Sequence, residues 1–272
     1  MCDSPFVAGT LARGAGMTQA TWSMLRQAAR SCGNGRRELL VGLAAYGVYA
    51  IMKGLFRGTR AEGLDNAQAV IDAERELGIF VEGDVQRFFL EHGLAMPFWN
   101  WFYLASQIVV LPATLVLVFL FARHAYPLVR NLAILSWMGG VIWYAAQPVV
   151  PPRHADVGIA DAISTQTAFD LDGGFALFFY NPVAAMPSLH VGMAPVAAWA
   201  LWRLTPWMLT RALGLAYPLM VGLTVVVTGN HYLLDIAGGL AVVIPAALIA
   251  RVVTGRPDYS KVQATTLTAP GW

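Results

Sequence analysis

The chain has 272 residues, of which 57% are hydrophobic and 12% charged. Soluble domains carry about 25% charged residues, so this composition, with a mean hydropathy of +0.55, excludes an ordinary soluble globule and points to several membrane spans. The formal net charge of +2 is too small to suggest nucleic acid, and none is expected as a partner. Cys2 and Cys32 are the only cysteines, and they read as neither a disulfide framework nor a metal site. The first residues lack a signal-peptide pattern, so the first span is expected to be an uncleaved anchor.

The expected fold is an all-α, polytopic membrane helical bundle of about six transmembrane helices. Residues 1–35 read as a cytoplasmic N-terminal tail, 36–254 as a single membrane-embedded domain and 255–272 as a cytoplasmic C-terminal tail. About 20 apolar residues cross a bilayer, and such runs fall near 38–56, 98–122, 129–150, 186–203, 210–229 and 231–251. Lys53 interrupts the first, and the fourth is short.

Loop charges set the orientation. Arg26, Arg30, Arg36 and Arg37 precede the first span, Arg123 and Arg130 follow the second, and Arg203 and Arg211 follow the fourth. Arg251, Arg256 and Lys261 close the chain. In a six-span arrangement all four groups share one side, which the positive-inside rule makes cytoplasmic. The opposite side carries Glu62, Asp65, Asp72, Glu74, Glu76, Glu82, Asp84 and Glu91, then Asp156, Asp161, Asp170 and Asp172. This places Arg153, His190 and His231 on the outer face of an integral membrane protein, a cell membrane if the source is prokaryotic.

Between Leu64 and Leu90, Ala67, Val70, Ile71, Leu77, Val85, Phe88 and Phe89 alternate with acids. This predicts two short amphipathic helices, broken near Gly78 to Gly83. They lie either on the membrane surface or as a cap on the spans. Phe98, Trp99, Trp101, Phe102 and Tyr103 read as an interfacial aromatic belt.

Three segments carry chemistry. Pro187 suits a helix's first turn, where unpaired backbone N–H groups and the dipole attract an anion; Ser188 adds a hydroxyl, and His190 sits in the same turn. The bland reading is a helix cap with an interfacial histidine. His231 and Asp235 are four residues apart and share a helix face, so the carboxylate can fix the imidazole tautomer. The alternative is a structural hydrogen-bonded pair. Arg153 ends Gln147-Pro148-Val149-Val150-Pro151-Pro152-Arg153, where a stiff exit from the third span can hold a guanidinium against phosphate or simply against headgroups. Gly238 and Gly239 permit close helix packing.

The order Arg153, then Pro187-Ser188-Leu189-His190, then His231-Tyr232-Leu233-Leu234-Asp235 resembles the three-part signature of the type 2 phosphatidic acid phosphatase superfamily. Met186-Pro187-Ser188-Leu189-His190 and Gly229-Asn230-His231 look closest to its inositol phosphorylceramide synthase-like branch. The resemblance covers residues from about 98 to 251. It implies a helical bundle and metal-free phosphoryl transfer without a cofactor. His231 would be the nucleophile that takes the phosphoryl group, Asp235 its orienting carboxylate and His190 the acid that protonates the leaving alcohol. Arg153 and Ser188 would hold the phosphate.

The chain departs from the family's pattern. Ala146 stands where the first block has lysine, His154 where proline follows the arginine, and Thr224-Val225 where the third block has Ser-Arg. Two cationic phosphate ligands are therefore replaced, with Gln147, Asn230, His154 and backbone amides near Pro187 as the candidates. Fewer cations suit a phosphodiester better than a phosphate monoester.

The leading expectation is a lipid phosphatase or phosphotransferase, with a lipid phosphate or phosphodiester as substrate. Water or an alcohol, such as an inositol-type polyol, is the acceptor. A metal-dependent oxidoreductase using His190, His231 and Asp235 and a transporter are the alternatives from other classes.

Overall fold

A computed structural model describes residues 19–56, 58–167, 169–171, 173–174, 176–205 and 207–255. Asp172, Arg256 and Lys261, three of the charges that orient the loops, lie outside the described residues, as do the side chains of Arg26, Arg30 and Cys32. Helix α1 (Gln19–Leu55) leads to α2 (Arg60–Glu76) and α3 (Glu82–Glu91). Next come α4 (Met96–Ala105), a π-helical segment (Ser106–Val110) and α5 (Leu111–Phe121), which continue one another. Then follow α6 (Tyr126–Ala146), the short α7 (Ala162–Gln166) and α8 (Ala176–Phe179), α9 (Leu189–Leu204), α10 (Met208–Val227) and α11 (Leu233–Thr254). The all-helical expectation holds, and no strand occurs among the described residues.

Five stretches are long and apolar enough to cross a membrane: Gly35–Leu55, Met96–Phe121, Tyr126–Ala146, Met208–Val227 and Leu233–Thr254. The expected fourth span is the exception. Helix α9 has 16 residues, about 24 Å, and starts at Leu189 because Ser188 is extended and caps it. Met186 and Pro187 therefore precede the helix instead of forming its first turn. Helix α11 likewise begins at Leu233, so His231 stands two residues ahead of it. Helix α1 reaches back to Gln19, into the segment read as a tail; Gln, Ala, Met and Arg dominate there, and all are strong helix formers.

Helix α9 occupies the centre of the bundle, against α5, α6, α10 and α11. Leu111, Val118, Val129, Ala133, Leu189, Met193 and Val243 fill the space between these helices. The outward faces are apolar instead of charged: Leu43, Ile51, Leu219, Leu248 and Val252 are all exposed. That is the surface a lipid-embedded body needs.

Glycines bring α9 and α11 into close contact. A Cβ on Gly192 would lie 2.9 Å from the Gly239 carbonyl oxygen, and one on Gly239 would collide with the Ser188 carbonyl. These small residues let the backbones touch, as expected for Gly239; Gly192 is an addition.

Helices α2 and α3 form a cap over the ends of α10 and α11. Thr59 and Glu62 close α2 with a reciprocal capping box. Ala67, Val70 and Ile71 bury against Val149, Val150, Val183 and Tyr232. Asn66 Nδ2 donates to the Pro148 carbonyl at 2.7 Å, and the Val150 N–H to the Gly63 carbonyl at 3.1 Å. Gln86 of α3 donates to the Ala160 and Val227 carbonyls and accepts the Ala160 N–H. Of the two outer-loop readings, the structure has the cap.

Candidate active site

Three irregular segments meet under this cap. The chain leaving α6 pairs with the segment before α9: the Val149 N–H donates to the Val183 carbonyl at 3.0 Å and the Ala185 N–H to the Val149 carbonyl at 2.9 Å. The Arg153 N–H donates to the Gly229 carbonyl at 3.0 Å, which ties the same exit to the end of α10. Gly229 has φ +70°, and a Cβ there would press on Ile159 and Ala160, so the tight turn into Asn230-His231 requires glycine.

The His231 imidazole is held from one side. Its Nδ1 lies 2.8 Å from the Ala185 carbonyl and 3.2 Å from Asp235 Oδ2. Both neighbours are acceptors, so Nδ1 carries the proton and Nε2 keeps its lone pair. Asp235 is fully buried. The same Oδ2 accepts the Tyr232 N–H at 2.9 Å, so the carboxylate is fixed by backbone before it orients the ring. His231 and Asp235 meet although only Asp235 is helical; the Tyr232 cap supplies the register expected from a continuous helix.

His190 lies beside this group, with its ring centroid 5.7 Å from that of His231. Tyr103 stacks on His190 at 4.6 Å with an interplanar angle of 21°, and Tyr180 lies beyond at 6.3 Å. His190 Nε2 is buried and meets no hydrogen-bond partner among the described residues. Tyr103 is therefore turned inward, at 3% exposure, and is no part of an interfacial belt. Phe98 and Trp101 do face outward. The belt expectation fails for Tyr103 because α4 presents opposite faces to lipid and to α9.

Arg153 reaches the same space with its side chain 5% exposed. Its Nη1 donates a short hydrogen bond to Asn230 Oδ1, and its Nε lies 3.4 Å from Asp161 Oδ2. Asn230 in turn donates to Thr228 Oγ1 at 2.9 Å. A chain of polar groups thus orients the guanidinium.

A cavity of about 60 Å³ joins Arg153, His190, Asn230 and His231, walled by Tyr49, Tyr103, Tyr144 and Tyr180. Two other sequence candidates stand elsewhere. Gln147 is exposed, caps the end of α6 and does not line the cavity. Ser188 is buried behind it; its Oγ accepts the Val191 N–H at 3.5 Å, and its own N–H donates to the Asp235 carbonyl at 2.9 Å. Leu189 and His190 line the cavity, and as the first residues of α9 their N–H groups have no intrahelical acceptor.

The tyrosines were missed in the sequence. Tyr103 lay within an aromatic run, and the others had no motif. Glu74 and Glu82, which count in the sequence only as acids of the outer-loop helices, are wholly buried. No group of three or more His, Cys, Asp or Glu among the described residues is arranged to hold a metal. The two-histidine, one-carboxylate site weighed as an alternative therefore does not assemble, because Asp235 faces His231 Nδ1 and the Tyr232 amide.

A family model described as the PAP2 superfamily matches residues 68–249, well over half of the chain. The chain belongs to the PAP2 superfamily. Its members are phosphoesterases, and this chain is accordingly an integral membrane enzyme acting on phosphoesters. Comparison with curated proteins and with solved structures gives no match.

Proposed function

We propose that this PAP2 protein transfers the phosphoryl group of a lipid phosphodiester through a phosphohistidine on His231, at the outer face of the membrane. The observation that carries the reading is the His231 geometry. With Nδ1 directed at Ala185 and Asp235, Nε2 is the ring atom left for attack on phosphorus. The N–P bond forms as the P–O bond to the lipid alcohol breaks. The leaving oxygen takes a proton from His190, which stands one ring away. Water or an acceptor alcohol then gives its proton to His190 while its oxygen attacks phosphorus, and the N–P bond breaks.

The charge balance favours a diester. Among the described residues Arg153 is the lysine or arginine that lines the cavity, with Asp161 against its Nε, while the buried Lys53 behind the wall is directed at the Leu177 and Tyr180 carbonyls. A singly charged diester matches this better than a doubly charged monoester. Together with the Met-Pro-Ser-Leu-His and Gly-Asn-His runs, this supports the inositol phosphorylceramide synthase-like branch and an inositol-type polyol as headgroup or acceptor.

A lipid fits the surroundings. An apolar groove of about 430 Å³ runs along α1 past Gly42, Leu43, Tyr46, Leu115 and Trp137 to Tyr49. Tyr49 also walls the catalytic cavity. The groove follows α1 from Gly35 to Tyr49, about 21 Å at 1.5 Å per residue. That exceeds the about 15 Å depth of one leaflet's hydrocarbon.

Purified protein in vesicles should turn over a phosphatidylinositol-type diester faster than phosphatidate, and an added alcohol should divert product from hydrolysis to transfer. Faster release from phosphatidate would overturn the diester preference. No turnover of either lipid would overturn the function.

A further inference from the structure

The cap does more than cover the site. Glu74, at the end of α2, and Glu82, at the start of α3, are both fully buried. They converge on the first turn of α11. The Leu233 N–H donates to Glu82 Oε1 at 2.9 Å and the Leu234 N–H to Glu74 Oε1 at 2.6 Å. Asp235 takes the Tyr232 N–H. Three carboxyls thus fill the positive end of the helix that follows the nucleophile.

The remaining oxygens, Glu74 Oε2 and Glu82 Oε2, are buried with no hydrogen-bond partner among the described residues, while the other oxygens of the two side chains sit on adjacent amides of one helix turn. Two buried carboxylates cannot both stay ionised at contact distance; one shared proton converts repulsion into a hydrogen bond.

We propose that Glu74 and Glu82 form a singly protonated carboxyl pair that positions His231 and Asp235 by anchoring Leu233 and Leu234. The proposal rests on the phosphohistidine reading above for what the positioning serves. Burial, then the stabilisation of protonated Glu74 as a donor toward Glu82, raises the Glu74 carboxyl from its ordinary 4.5 to about 8. Glu82, Asp235 and Tyr232 are the titratable groups that face it. The acids are thereby positioning residues, not reactants.

Glu74→Gln tests this, because glutamine reproduces the protonated form: its oxygen accepts the Leu234 N–H and its amide donates to Glu82. Glutamic acid with a raised folded-state value stabilises the fold below about 4.5, and that contribution is lost as pH rises through about 8. The wild-type thermal midpoint should therefore fall between about pH 6 and about pH 9, and that of Glu74→Gln should stay flatter. Glu74→Gln should retain turnover within about twofold, whereas Glu74→Ala should lose about 10²-fold in kcat with KM unchanged. Matching pH responses of wild type and Glu74→Gln, or equal losses in Gln and Ala, would overturn the pair.

If wild type turns over no phosphoester, the functional reading falls, and the midpoint comparison still decides the pair. Vanadate, which mimics five-coordinate phosphorus, reports the His231 geometry without a substrate. Weaker vanadate binding by Glu74→Ala alone supports positioning, and equal binding by wild type, Gln and Ala overturns it. If Glu74→Ala does not fold, the pH response of Glu74→Gln carries the decision.

Discussion

Gly239 of α11 packs directly on the Ser188 carbonyl, so closely that no Cβ fits between them. This contact sets the separation of α9, which carries His190, from α11, which His231 precedes. Gly239→Ala must push α9 from α11. A loss of about 1–3 kcal/mol of stability is expected from the overpacking. Turnover should fall on the order of 10²-fold as the two rings separate. Gly222→Ala is the control, since nothing lies within 4 Å of a Cβ there. It should leave both quantities unchanged or raise stability slightly. Thermal unfolding in detergent and lipid turnover, measured together, check the pair of variants.

Asp161 lies 3.4 Å from Arg153 Nε and offsets part of its charge. Asp161→Asn removes the offset and keeps a side chain that can still cap α7, where Asp161 Oδ1 accepts the Ser164 N–H at 3.0 Å. The ratio of phosphatidate to diester turnover should rise. Arg153→Lys should lower both rates by about 10-fold or more, because an ammonium cannot reproduce the planar fork. An unchanged substrate ratio in Asp161→Asn would remove the electrostatic basis of the diester preference.

The two histidines separate by leaving group. Removing a general acid costs about 10²–10⁴-fold when the leaving group is a poor alkoxide and far less when it is already acidic. His190→Ala should therefore lose most of its activity on lipid and spare a nitrophenyl phosphoester. Asp235→Asn should fall between His190→Ala and His231→Ala. Single-turnover rates on the two substrates decide the matter, and equal losses for His190→Ala would remove its role as acid.

Asp156 is exposed on the segment after Arg153. Asp156→Cys should react with an impermeant thiol reagent added to the outside of intact cells. Labelling only after permeabilisation would reverse the sidedness of the site.

The sequence carried much of this arrangement because its strongest signals are local. Long apolar runs specify membrane helices, and five of the expected spans are helices long and apolar enough to cross. His231 and Asp235 were legible as a pair from their spacing, although the extended Tyr232 cap, and not a continuous helix, brings them together. What was illegible depends on tertiary contact. Nothing in the order of residues tells that Tyr103 leaves its aromatic neighbours to stack on His190, or that Ala185 supplies a carbonyl to His231. Glu74 and Glu82 stood out from the other acids of the outer-loop helices in no way, because an amphipathic pattern does not reveal which acids cap another helix. Pro187 suggested a helix start two residues early, since proline at a first turn and proline just before a cap give the same local signal.

The most direct test of the account is to trap the intermediate. Wild-type protein mixed with lipid labelled on phosphorus and quenched in base should carry acid-labile label on the peptide that contains His231. His231→Ala should carry none, and His190→Ala should still form it from a nitrophenyl phosphoester. Label on another residue, or label persisting in His231→Ala, would contradict a nucleophilic His231.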